Sequence, residues 1–429
     1  MEPFEEKLQK FIRQDGQAWS VPAAPVDKVL RGWRQASAPR RSATRVPWSI
    51  SAVVFSALVV VMAIWFRPPA NHAHPAKVQT VNVQGHFTSI GSLGSIQNVD
   101  MVSSQDGWAL TNKVVLRTVN GGGTWVRTSG LPGNTVLVSG WFFSTQQAIV
   151  EAKSQPGSGT GTLYATSDGG RTWRQVGYVP SNTVVQQFLD PTHGWAQQGS
   201  KVIRTTDGGQ SWQEVFSLPQ GGAGTGSLGW IRFSTSQDGT LLWFQTGAPG
   251  FWAMHSVDGG QNWTPQKLPV LNKTGFTLVT NLQPPVFWGN EGAMSGWEDG
   301  RLITYHTNNG GDSWTVVSAS GIQPTPPNTF VGNPNVTWTS AQVGWLGPMV
   351  SKSGKGYLLY RSADGGRTWS VTTRFSGLDW SVSASLPLRF VNQADGWLLI
   401  TRQEGAQYEL WQTTDGGQHW RTTTFSHAR

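Results

Sequence analysis

One eight-residue phrase, Ser/Thr-x-Asp/Asn-Gly-Gly-x-x-Trp, is written seven times between Thr118 and Trp420. The copies are 118–125, 166–173, 205–212, 256–263, 307–314, 362–369 and 413–420, with their tryptophans 39 to 55 residues apart. A period of about 40–50 residues belongs to radial or solenoid architectures, in which one supersecondary unit is stacked on its own copies. The repeat therefore fixes an architecture before any residue suggests a chemistry.

The phrase reads as a hairpin turn between two short strands, such as 114–118 and 124–128 around the first copy. Paired glycines supply the positive φ angles a tight turn needs. The Asp or Asn accepts hydrogen bonds from the turn's own amides, and the Ser or Thr anchors the incoming strand. The tryptophans (Trp125, Trp173, Trp212, Trp263, Trp314, Trp369, Trp420) lead the outgoing strand, each able to bury about 150–250 Å². Asp168, Asp207, Asp258, Asp364 and Asp415 hold the third position in five copies, and Asn120 and Asn309 in the others. An amide keeps the turn's hydrogen bonds but cannot act as a catalytic carboxylate, so the position reads as structural.

A looser phrase precedes most copies: Asp106-Gly107-Trp108, His193-Gly194-Trp195, Gly296-Trp297, Val343-Gly344-Trp345 and Asp395-Gly396-Trp397, each after a short apolar run. One unit is then inner strand, glycine turn, second strand, third strand, octapeptide and outer strand. Four antiparallel strands per unit make a propeller blade, and seven units close a ring without exposed sheet edges. The expected fold is all-β, a seven-bladed β-propeller of four-stranded antiparallel blades over 95–429.

The octapeptide resembles the Asp-box, or bacterial neuraminidase repeat. Its Gly-Gly form ending in Trp is most similar to the photosystem II stability/assembly factor-like propellers. Sortilin-type receptors, xyloglucanases and sialidases share the box. The resemblance implies a scaffold element lying away from the working face, and it leaves the ligand open.

Composition agrees with a turn-rich, aromatic-filled β-protein: 52 Gly, 24 Trp and 13% charged residues. There is no cysteine, so neither a disulfide nor a thiolate site exists. Nothing in the pattern calls for a cofactor or a metal. His72 and His74, two histidines without further ligands, read as part of a solvated linker. The net charge of +8 places no aromatic residues within a basic stripe, so no nucleic-acid partner is expected.

The N-terminal part has a different character. Trp48–Phe66 carries no charge and is long enough, at about 1.5 Å per residue, to cross a hydrocarbon core of about 30 Å. Six basic residues and no acid lie between Lys28 and Pro47. The positive-inside rule then places 1–46 in the cytoplasm, a transmembrane helix over 47–67, and the propeller outside the cell, as a single-pass cell-membrane protein. Residues 68–94 read as an extracellular linker with one candidate extra strand at Val78-x-x-Val81-x-Val83. Within 1–46, Phe4, Leu8, Phe11 and Ile12 and then Val26, Val29, Leu30 and Trp33 fall at helical spacing. Two short amphipathic helices result, suited to the inner leaflet or to a cytoplasmic partner.

Three functional classes follow. The first is a non-catalytic platform that binds a protein, peptide or glycan outside the cell. The second is a sialidase-like glycoside hydrolase, for which Glu298, Asp299, Asp379 and Glu404 are the carboxylates not taken up by turns. The third is a transmembrane sensor whose cytoplasmic segment holds a regulatory partner. For the platform, one inner-strand register varies from blade to blade: Asp100, Trp141, Gln187, Arg232, Pro285, Thr337 and Arg389. Arg232, Arg389 and Asp100, with Trp380 from a long loop, are the candidate ligand-binding residues. They are expected beside the longer loops at the channel mouth as an anion- or carboxylate-binding cluster, and the same residues also read as a solvated channel lining or an Arg–Asp pair.

Overall fold

The computed structural model describes residues 78–82, 88–89, 93–155, 159–217, 226–245, 251–266, 268–271, 279–322, 335–350, 356–376, 388–401 and 407–423. The segment 1–46 expected in the cytoplasm, the expected membrane span, Trp380, Asp379 and Glu404 lie outside these residues. Among the described residues no helix is long and apolar enough to cross a membrane.

Seven antiparallel sheets follow one another in chain order. Blade 1 is Ile96–Met101, Gly107–Thr111, Val115–Thr118 and Val126–Arg127. Blade 2 is Val136–Phe142, Ala148–Lys153, Gly161–Thr166 and Arg174–Val179. Blade 3 is Thr183–Phe188, Gly194–Gln198, Lys201–Thr205 and Gln213–Ser217. Blade 4 is Gly226–Phe233, Gly239–Gln245, Phe251–Ser256 and Thr264–Gln266. Blade 5 is Val286–Trp288, Glu291–Glu298, Arg301–Thr307 and Thr315–Ser318. Blade 6 is Val336–Trp338, Gly344–Val350, Tyr357–Ser362 and Ser370–Ser376. Blade 7 is Leu388–Phe390, Gly396–Thr401, Gln407–Thr413 and Arg421–Thr423.

Middle strands are buried on both faces, as in Gly107–Thr111, where all five residues are buried. Sheets packed on both sides need apolar residues at successive positions, which explains runs such as Trp397-Leu398-Leu399-Ile400. The cores are therefore the seams between blades. The Trp108 ring stacks on Phe142 of blade 2, Trp195 on Phe233 of blade 4 and Trp345 on Phe390 of blade 7, with centroids 5.4, 3.7 and 3.8 Å apart. The indole N–H of Trp195 donates to the Gly259 carbonyl, that of Trp345 to Gly416 and that of Trp397 to Gly121, at 2.9–3.0 Å. The last of these joins blade 7 to blade 1 and closes the ring.

Three sheets exceed four strands. Val279–Thr280 adds a short pairing to the second strand of blade 5. Gln79–Asn82 lies parallel to the outer strand of blade 6, with Gln79 opposite Thr373 and Val81 opposite Phe375. Thr88–Ser89 pairs with Tyr408 and Gln407, beyond the stretch of that strand covered by Arg421–Thr423. The N-terminal segment is thus a strap on the outer edges of blades 6 and 7.

Blade 5 corrects two register assignments. The residue opposite Thr307 is Gly292, as Gly107 is opposite Thr118, so Gly292-Ala293 and not Gly296-Trp297 is the glycine-turn equivalent. Its inner-strand register residue is Val286, opposite Ala293, and not Pro285. An alanine replaces the usual tryptophan here, which hid the phrase. The missing volume is supplied from blade 6, where Trp338 stands in place of the inner-strand phenylalanine and donates to Ser295 Oγ.

Candidate binding site on the channel wall

All seven octapeptides adopt one hydrogen-bonded turn. Both glycines have positive φ in every copy, as Gly121 at 70° and Gly122 at 92° illustrate, a region that a side chain would strain. The leading hydroxyl donates to Oδ1 of the Asp or Asn at 2.8–3.0 Å. The same hydroxyl accepts the amide of the second glycine at 2.8–3.0 Å. Oδ1 also accepts the amide four residues on.

The Asp copies spend Oδ2 as well. Thr172, Ser211, Asn262 and Thr368 donate their side chains to it at 2.6–2.7 Å. At Asn120 and Asn309 the direction reverses, and the amide nitrogen donates to the hydroxyl of Thr124 or Ser313. Bonds from the Thr172 hydroxyl and amide and from Thr166 hold the Asp168 carboxyl down at about 2. Burial pushes Asp207, Asp258, Asp364 and Asp415 up, but their hydrogen bonds outweigh it and leave each below the usual range. These carboxylates are ionised and saturated.

The first glycine amide of each copy donates to a carbonyl in the inner-strand turn of its own blade, at 2.7–3.0 Å. Octapeptides and glycine turns therefore share one edge of the ring. Six of the turn tryptophans are buried, while Trp212 is half-exposed and donates to the Tyr178 carbonyl at 2.7 Å.

On the inner strands, the register residues are Asp100, Trp141, Gln187, Arg232, Val286, Thr337 and Arg389. Each lies opposite the residue that follows the glycine-turn position. All seven are at least partly exposed, although the next residue, Met101 in blade 1 and an aromatic in the other six, is buried in every blade but blade 5, where Phe287 is half-buried. They form one level of the ring, close to the octapeptide edge. This corrects the expected placement: strand direction sets Arg232 and Arg389 at the end opposite the long loops.

Arg389 and Asp100 meet across the closing seam, Nη2 to Oδ1, at 3.1 Å. The approach is off the hydrogen-bond axis, since Oδ1 makes no hydrogen bond. Burial raises the Asp100 carboxyl, and Arg389 partly offsets this. Arg232 differs. Its Nη1 donates to the carbonyls of Gln186 and Ile231 at 2.7 and 2.8 Å, and no carboxylate among the described residues pairs with it. Burial pushes the guanidinium down to about 10, although part of its surface stays open. The Gln187 side chain beside it bridges the same gap, donating to the Phe233 carbonyl and accepting the Phe233 amide. Nothing in the sequence marks Gln187 for this role. The result is a cation fixed in the wall by neutral acceptors on Nη1 and still partly exposed, which suits a carboxylate.

The hydrolase carboxylates are placed differently. Glu298 is buried and accepts the Leu271 amide, and Asp299 sits at φ 50° in the adjoining hairpin turn. Among the described residues no group of three or more His, Cys, Asp or Glu could hold a metal.

No protein-family profile matches the chain. It is 27% identical over 231 residues to the photosystem II assembly lipoprotein Ycf48 of Synechococcus sp. (strain CC9902), across 49% of this chain and 58% of that protein. The chain thus spans little more than half the length of this curated relative. The resemblance to photosystem II assembly factor-like propellers holds in that alignment. Among solved structures, YCF48 bound to D1 peptide matches at TM-score 0.46 and 17% identity over 79% of this chain and 99% of that one. YCF48 from Cyanidioschyzon merolae matches at 0.47 and 17% over 77% and 96%. The GH74 xyloglucanase from Xanthomonas campestris matches at 0.47 and 14% over 79% and 56%. The fold assignment rests on the strand pairing itself.

Proposed function

We propose that this chain is a non-catalytic binding platform, anchored by a span at 47–67, whose propeller lies outside the cell and holds a protein partner through a carboxylate at Arg232. One observation carries the reading. Arg232 is a partly desolvated cation with carbonyl partners only, in a register where Arg389 is already paired with Asp100. A guanidinium so held gains a charge-assisted, two-oxygen contact when a carboxylate arrives, without breaking an internal ion pair. The assembly role in the printed name of the Synechococcus relative favours a protein over a glycan. A photosystem role is not carried over, because function resides in sites and not in folds. The basic residues between Lys28 and Pro47 support a cytoplasmic N-terminus.

Crosslinking in intact membranes followed by recovery of partners tests the proposal with Arg232→Ala and Arg389→Ala. Arg232→Ala should stay folded and lose the partner, while Arg389→Ala should retain most recovery. Undiminished recovery with Arg232→Ala overturns the site. Protease added to intact cells should cleave the propeller and spare the first 46 residues, and the opposite pattern overturns the topology.

A further inference from the structure

Outside the channel, blade 1 and the segment leading into blade 2 enclose a cleft of about 630 Å³. Val114 and Val115 are buried beneath it, with Leu131 and Val136 partly buried, and Lys113 and Arg127 stand exposed at its rim. No carboxylate lines it. Neither cation makes an ion pair or side-chain hydrogen bond among the described residues. The walls are fixed by backbone contacts. The Leu137 amide donates to the Asn112 carbonyl at 3.0 Å, and the Thr128 amide to Val115 at 2.9 Å. The Thr135 hydroxyl closes the turn on the Pro132 carbonyl. At Gly133, an added Cβ would meet nothing within 4 Å.

We infer that this cleft seats a short extended peptide segment of a partner protein, with acidic side chains on Lys113 and Arg127 and apolar ones against the partly exposed Leu131 and Val136. The volume lies in the range of about 300–1,000 Å³ usual for ligand clefts. Two unpaired cations beside the partly exposed Leu131 and Val136 match a segment that mixes carboxylates with aliphatic groups, because opposite potentials steer and orient the encounter. The lining holds no aromatic ring on which a base could stack, so a nucleic-acid strand is disfavoured. The inference rests on the chain being a protein-binding platform, but not on Arg232.

The test uses the full-length protein in detergent micelles and two fluorescein-labelled hexapeptides. One alternates Leu or Val with Asp or Glu, and the other carries Lys in place of each acid. Fluorescence anisotropy should show binding of the acidic peptide only, weakening as salt rises. Lys113→Glu with Arg127→Glu should lower its affinity by about tenfold or more. Gly133→Trp should weaken it at unchanged charge, because the added ring occupies the cleft. These residues lie outside the buried cores, so melting should be unchanged, and Arg232→Ala should leave this affinity intact. Equal binding of the lysine peptide, or full affinity in either cleft variant, overturns the assignment. Loss only with Arg232→Ala overturns it too and moves the peptide to the channel. Loss of the partner with Arg232→Ala while hexapeptide affinity persists supports both sites.

Discussion

Replacing Trp195 with alanine tests the seam logic most directly. Its ring is fully buried, stacks on Phe233 with centroids 3.7 Å apart and donates to the Gly259 carbonyl at 3.0 Å. Arg204 lies 5.4 Å over the other face. Truncating a buried tryptophan costs about 3–5 kcal/mol through lost transfer energy and the cavity left behind. Trp195→Phe separates the terms, because it keeps an aromatic stack and removes the N–H donor. That variant should lose about 1–3 kcal/mol, the cost of a buried carbonyl left without its partner. The half-exposed Trp212 gives the contrast: water replaces much of what its removal exposes, so Trp212→Ala should cost about 1–2 kcal/mol. Urea unfolding followed by circular dichroism, with the slope checked for constancy, ranks the three. A Trp212→Ala loss equal to that of Trp195→Ala would refute the claim that the seams hold the ring.

Asp258→Ala should cost about 0.5–2 kcal/mol in thermal or urea unfolding, in line with loss of a capping side chain. Asp258→Asn should cost less, because Asn309 shows how an amide fills the same turn. Since the octapeptide carboxyls are lowered on folding, they stabilise the protein above the unfolded carboxyl value of about 4. That contribution should be lost as pH falls toward about 2, where Asp168 protonates, and urea midpoints across this window check it. His255 is buried and held below its usual value by desolvation, despite Asp312 and Asp238, and its Nε2 has no hydrogen-bond partner. Its neutral form is therefore the folded form, and stability should fall as pH drops below about 6.5. His255→Leu should flatten that fall between pH 7 and pH 5. Val81→Asp should free the strap at a cost of about 1.5–3 kcal/mol and expose Gln79–Asn82 to protease.

The octapeptide made the ring legible because its residues obey local rules. Positive φ at both glycines, an acceptor at the third position and a hydroxyl at the first follow from the turn alone. Relations between blades were less visible. The tryptophan of the glycine-turn phrase reaches into the next blade, and Gln187 mimics strand pairing across a gap. No spacing within one repeat records either contact. Blade 5 misled for a related reason: Ala293 and Trp338 exchange bulk across a seam, so the volume is conserved while the motif is not. Arg232 and Arg389 stood out as polar intrusions, but their height in the channel depended on strand direction. Lys113 and Arg127 carried no sequence signal, being single exposed charges brought to one cleft by the fold.

The strap has a consequence for how the molecule is made. Gln79–Asn82 leaves the ribosome before any blade, yet its partner strand belongs to blade 6. Thr88–Ser89 waits longer still, for the third strand of blade 7. During synthesis these residues present an edge with nothing to pair, ahead of blades whose hairpins zip locally as they appear. Their docking is a long-range step that must follow the local ones. Gln79–Asn82 can seat once blade 6 is made, but Thr88–Ser89 cannot until the third strand of blade 7 is present, so its attachment marks a ring that lacks at most its last strand. Protease resistance at Thr88–Ser89 in stalled nascent chains would then date the arrival of blade 7.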